Sequence, residues 1–207
     1  SGCATTVSFT VAGPSITKSG TITAFTACVG TATAAQTFTV TGADLTNNIV
    51  IAIPTGFELA TTSGGTYTTS SLTLTESSGT VTNTTIYVRL SASAATGTYS
   101  GSISLTASGA TTQTITIPAS TVNALPNITG TLTTVIEGTS TLSSTIAGGT
   151  WSSSTTDVAT ISASGVVTGV ANGTTTITYT TSSGCATTVS FTVAGPSITK
   201  SGTITAF

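Results

Sequence analysis

Apolar and polar residues alternate with a period of two along almost the whole chain, and no stretch repeats at the helical period. Phe38 and Val40 alternate with Thr. Ile49, Ile51 and Ile53 share one face, which ends at Pro54. Leu72 with Leu74, the set Ile86, Val88 and Leu90, Ile103 with Leu105, and Ile115 with Ile117 continue the pattern. Successive side chains of a strand point to opposite faces, so each run predicts a half-buried strand. Turn signals fall between the runs at Gly30, Thr41-Gly42, Pro54-Thr55-Gly56, Ser63-Gly64-Gly65, Ser78-Gly79, Thr96-Gly97 and Ser108-Gly109. Residues 14–122 are therefore expected to form an all-β sandwich of about eight strands.

The stretch Asn123-Ala124-Leu125-Pro126 interrupts the alternation, and residues 123–127 read as a joint. A second, smaller β unit occupies 128–194. Its strands are expected near Leu132–Val135, Ser140–Ile146, Val158–Ile161, Val166–Val170, Thr174–Thr180 and Thr187–Val193.

Residues 183–207 repeat residues 1–25 letter for letter, an offset of 183 − 1 = 182 residues. A period of that length suits whole domains rather than a solenoid repeat. The chain thus reads as one period of a tandem array plus the opening of the next. Residues 1–13 are then the last strand of the preceding small unit, and 195–207 the first strands of the following sandwich. The expected architecture is two β-sandwich domains per period, arranged end to end and advancing on the order of ~80 Å. Segments 1–12 and 196–207 would each expose backbone groups and an apolar face, so completion by adjacent copies is expected there.

One part of the small unit carries a more specific signature. Gly149-Thr150-Trp151-Ser152-Ser153-Ser154, then Asp157-Val158-Ala159-Thr160-Ile161-Ser162, then the run from Gly165 to Thr178 resembles the bacterial immunoglobulin-like group 2 domain. The resemblance implies a small Ig-like sandwich used as a spacer or binding module in surface adhesins and invasins. The larger domain, through Asn48–Ile51, Pro54–Glu58, Thr85–Leu90 and Thr98–Gly101, is similar to repeats of very large secreted surface proteins of Bacteroidota. That implies an extracellular or cell-surface location on a bacterium.

Composition agrees with this picture and removes most alternatives. Thr and Ser make up roughly four residues in ten, far above ordinary usage. Thr is stiff at χ1 and suits strands, and its hydroxyl wets a surface without charge. Only 4% of residues are charged, and the formal net charge is −2. No basic patch is available for nucleic acid or anionic lipid, and no apolar run has the length of a membrane span. Mean hydropathy is +0.45, unlike that of a disordered chain.

Enzyme chemistry lacks its parts. There is no His, which excludes Ser-His and Cys-His dyads and His-ligated metals. The five acids Asp44, Glu58, Glu76, Glu137 and Asp157 are scattered, without a calcium-loop spacing. Glu58 and Glu76 could meet across strands as a glycosidase pair requires, but they read more simply as solvated acids. Ser15-Ile16-Thr17-Lys18 matches S-x-x-K on a strand-like stretch, where that motif does not function. No enzyme, catalytic residue, metal or cofactor is expected.

Two features remain. Cys3, Cys28 and Cys185 amount to two cysteines per period, because Cys3 and Cys185 are equivalent. A secreted array favours disulfides, but strand Thr5–Val11 carries the chain about 20 Å away from Cys3. A link within the chain and a link between copies both stay open. Trp151, the single Trp, is expected as a core anchor, with a sugar-stacking platform as the alternative. The leading function is a structural extender repeat that forms an extracellular fibre. The alternative is an adhesin module that binds carbohydrate or protein on loops such as Ser63–Thr69.

Overall fold

Short β-branched runs punctuated by glycines build strands and turns throughout the computed structural model, which describes residues 12–195. Two compact units meet between Asn123 and Ala124. Both are Ig-like β-sandwiches, and the described residues include no helix.

The first unit has nine strands: β1 (Ser15–Ser19), β2 (Thr26–Cys28), β3 (Gln36–Ala43), β4 (Ile49–Ala52), β5 (Phe57–Ala60), β6 (Leu72–Leu74), β7 (Val81–Leu90), β8 (Gly97–Thr106) and β9 (Gln113–Asn123). One sheet has the order β1-β3-β7-β5 and the other β2-β9-β8-β4-β6. β1 pairs antiparallel with β3, whereas β2 pairs parallel with β9. The opening segment thus crosses from one sheet to the other. An immunoglobulin first strand makes the same crossing, and the four-strand sheet follows the immunoglobulin ABED order.

The alternating residues close the core between the sheets. Ile49, Ile51, Ile86, Val88, Leu90, Ile103, Leu105 and Ile117 are all fully buried. Each buried aliphatic side chain of this size contributes roughly 1.5–3 kcal/mol relative to exposure.

The opening segment is divided in two, and one expectation is corrected. Gly20, at φ +109°, ends β1, and the chain then changes sheets. Thr41-Gly42 is not a turn, since it lies within β3, where the register shifts between Val40 and Gly42. A Cβ on Gly42 would come within 2.5 Å of Leu45 Cδ1, so the missing side chain lets Leu45 tuck against the bulge.

The second unit comprises β10 (Ile128–Thr129), β11 (Thr133–Val135), β12 (Thr139–Thr141), β13 (Ser143–Ser144), β14 (Thr150–Ser153), β15 (Ala159–Ile161), β16 (Val166–Gly169), β17 (Gly173–Thr180) and β18 (Ala186–Ala194). Its sheets are β11-β18-β17-β14 and β12-β16-β15, with β10 and β13 forming a two-stranded pair. β11 runs parallel to β18, a second use of the opening-strand crossing. The strand expected over Ser140–Ile146 is split at Leu142, which is fully buried. Ile177, Phe191, Val193, Val167 and Ala159 complete this core. The expected completion of segments 1–12 and 196–207 by adjacent copies lies outside the described residues.

Candidate functional site

The site-like features of the first unit start from strand pairing. Register places Glu58 of β5 directly opposite Arg89 of β7. All four residues of β5 are buried, so the alternation that would leave Glu58 in water is absent. Arg89 Nε donates to Glu58 Oε1 at 2.6 Å, and the guanidinium carbon sits 3.7 Å from the centroid of the Tyr67 ring. A charge-assisted bond and a cation–π contact thus tie the loop before β6 to the central strand.

This corrects the reading of Glu58 and Glu76 as two solvated acids. Glu58 is 9% exposed and ion-paired. Glu76 instead accepts from the Gly79 backbone N–H at 2.6 Å and caps the turn before β7. The two carboxylates serve separate local structures. The sequence did not single out Arg89 and Tyr67 as partners. The one available signal was that Arg89 is the only Arg on a strand otherwise built of uncharged residues.

The same unit has a cavity of about 300 Å³, lined by Ile53, Thr55, Thr69, Ser91, Ser93 and Tyr99 among others. Three of its hydroxyls are engaged locally. Ser91 Oγ and Ser93 Oγ lie 2.8 Å apart, and Tyr99 Oη donates to the Ala95 carbonyl at 3.0 Å. Gly56, at φ +90°, allows the Tyr99 ring to lie flat on the backbone, since a Cβ there would come within 2.3 Å of Cδ1. The lining holds no charged group, and it offers hydroxyls and the rings of Phe57 and Tyr99.

A second groove, of about 340 Å³, runs between Lys18 of β1 and Thr114–Thr116 of β9. Ser15 and Lys18 are both exposed on β1, a strand, so S-x-x-K lacks the helical setting its chemistry needs.

In the second unit, Trp151 of β14 faces Tyr179 of β17 across a direct pair, with ring centroids 4.6 Å apart and planes tilted by 57°. The indole is half-buried and packs on the small core. Tyr179 Oη donates to the Ile146 carbonyl at 2.7 Å and accepts from the Gly149 N–H at 2.8 Å, fixing the loop ahead of β14.

Cys28 and Cys185 are each engaged in a disulfide, while Cys3 lies outside the described residues. Cys28 ends β2 beside Asn123, and Cys185 is buried in the turn that closes β17 onto β18. Among the described residues, no three His, Cys, Asp or Glu side chains converge as a metal site, and no helix is long and apolar enough to cross a membrane.

No family matches the chain by sequence, and no curated protein does so. Several solved structures are distantly similar to it. The C-terminal 282-residue fragment of intimin, in complex with the translocated intimin receptor's intimin-binding domain, is 20% identical with a TM-score of 0.43, over 86% of this chain and 62% of that one. Two Ig domains of DIP-gamma are 13% identical with a TM-score of 0.37, over 89% and 98% of the two chains. Invasin, a bacterial integrin-binding protein, is 15% identical with a TM-score of 0.33, over 87% and 39%. The chain therefore spans less than two thirds of the intimin fragment.

Proposed function

We propose that this chain is an extender repeat of a giant secreted bacterial surface protein, built from group 2 Ig-like and larger sandwich domains and assembled into an extracellular fibre. The observation that carries the reading is the letter-for-letter return of residues 1–25 at 183–207. Identity over a stretch that includes ordinary surface positions is what an array of copied units retains.

The physical character of the folded units supports it. Within each folded unit the surface is wetted largely by hydroxyls in place of charges, so pH and salt have little effect on the unit's own stability. Lys18 and Arg89 are the cleavage points for Lys/Arg-directed proteases among the described residues, and both lie inside strands. Cys28 and Cys185 are engaged as cystine, as befits a durable element outside the cell.

A second reading rests on the cavity beside Tyr99. Its aromatic ring and neutral hydroxyls suit an uncharged sugar, which would make the sandwich a carbohydrate-binding adhesin module. Repeat number separates the two. Tens of near-identical periods in the full-length polypeptide are expected for the extender, and one or two periods with divergent loops would support the adhesin module. Titration with a panel of neutral glycans tests the second reading directly, and absence of binding at millimolar sugar would overturn it.

A further inference from the structure

We infer that the C-terminal pole of the Ig-like unit is a docking surface for the sandwich domain of the following copy, so that this junction of the array is a packed interface and not a free hinge. The inference rests on the tandem-array reading. At this pole Val135 and Val170 are 58% and 47% exposed, both large apolar side chains in water. They are held together. Val135 pairs with Ala194, Ile136 N–H donates to the Ala194 carbonyl, and Glu137 N–H donates to the Gly169 carbonyl at 2.9 Å. Gly169 packs against Val135 so closely that a Cβ would come within 2.4 Å of its carbonyl. The chain leaves the unit at this point through Ala194 and Gly195.

The sequence beyond Gly195 identifies the occupant. Residues 196–207 have the sequence of 14–25, which opens the sandwich. β18 ends at Ala194, and Ser197 corresponds to Ser15, where β1 begins. Only Gly195 and Pro196 separate them, so the tether is at most about 11 Å long. Its proline restricts its own φ and biases the glycine before it toward extended backbone. A sandwich joined by so short and stiff a link must present its N-terminal pole to Val135 and Val170. That pole carries Pro14, packed on the turn at Gly109, with Ala107 and Ala110 beside it.

Charge does not supply the attraction. Asp44 and Glu76 lie at the sandwich's N-terminal pole, and Glu137 and Asp157 at the Ig unit's C-terminal pole, all of one sign. The contact is therefore apolar, and screening salt strengthens it.

The test compares the 207-residue chain with the same chain extended by a further copy of residues 26–123, which completes the following sandwich. Hydrogen–deuterium exchange is read on peptides covering 133–138 and 169–172. The expected result is exchange slowed roughly tenfold in the extended chain, slower still in added salt. Val135→Ser with Val170→Ser should cancel the slowing while leaving the 207-residue chain folded, because both positions are exposed. Equal exchange in the two chains, with the added sandwich protected in its own core, would overturn the docking surface and leave the array reading standing. A full-length polypeptide with a single period would instead remove the array reading itself.

Discussion

Arg89 and Glu58 face each other on neighbouring strands, with Arg89 Nε 2.6 Å from Glu58 Oε1. It is the one side-chain ion pair among the described residues, in a molecule that uses hydroxyls nearly everywhere else. Removing Arg89 leaves a buried carboxylate without its counter-charge. Arg89→Ala should cost about 2 kcal/mol, below the range for fully buried pairs because the guanidinium is partly exposed. The double variant Glu58→Gln, Arg89→Ala should lose clearly less than the two single changes added together. Urea unfolding of the four proteins in the cycle checks this, and strict additivity would show that the pair contributes nothing by pairing.

Both described trypsin sites are locked in pleated backbone. Lys18 pairs with Val40 on the edge strand β1, and Arg89 lies in β7, between β3 and β5. Limited proteolysis of the native chain should spare Arg89 until the first unit unfolds, with any early cut at Lys18 reached by edge fraying. Mass spectrometry of the fragments reads this. Rapid cleavage after Arg89 in native buffer would contradict the packing described.

Two glycines separate backbone conformation from steric demand. Gly148 (φ +79°) has open space where a Cβ would go, whereas a Cβ on Gly165 (φ +83°) would come within 2.3 Å of the Leu142 backbone carbonyl. Gly148→Ala should cost about 1 kcal/mol for the left-handed conformation alone. Gly165→Ala should cost roughly 3 kcal/mol or more, because backbone cannot swing aside. Trp151 is the only Trp, so its fluorescence reports the second unit in both cases.

Cys28 and Cys185 should resist alkylation in the native chain under non-reducing conditions and react after reduction. Peptide mapping with and without reductant decides it. Free thiols at both positions in oxidised material would contradict the cystine assignment.

The parts of the fold legible in the sequence were those carried by aliphatic alternation. Ile49 with Ile51, and Ile86 with Val88 and Leu90, are buried as their spacing implies. The strand at Thr150–Ser153 was visible only as a motif around Trp151, since Ser and Thr on both faces leave no apolar period to read. Thr41-Gly42 reads as a turn by residue type, yet a bulge uses the same glycine without leaving the strand. The role of Glu58 was hidden for a different reason. Alternation shows which face a residue occupies, but not which residue lies across the sheet, and pairing with Arg89 depends on register between strands about thirty residues apart.

The central claim, that this chain is a repeat along a fibre, is tested most directly by electron microscopy of the native surface material labelled with an antibody raised against the 207-residue chain. The account predicts label at even intervals along the length of each filament, one position per period. Label confined to a single point at a tip or base, with the shaft bare, would contradict it.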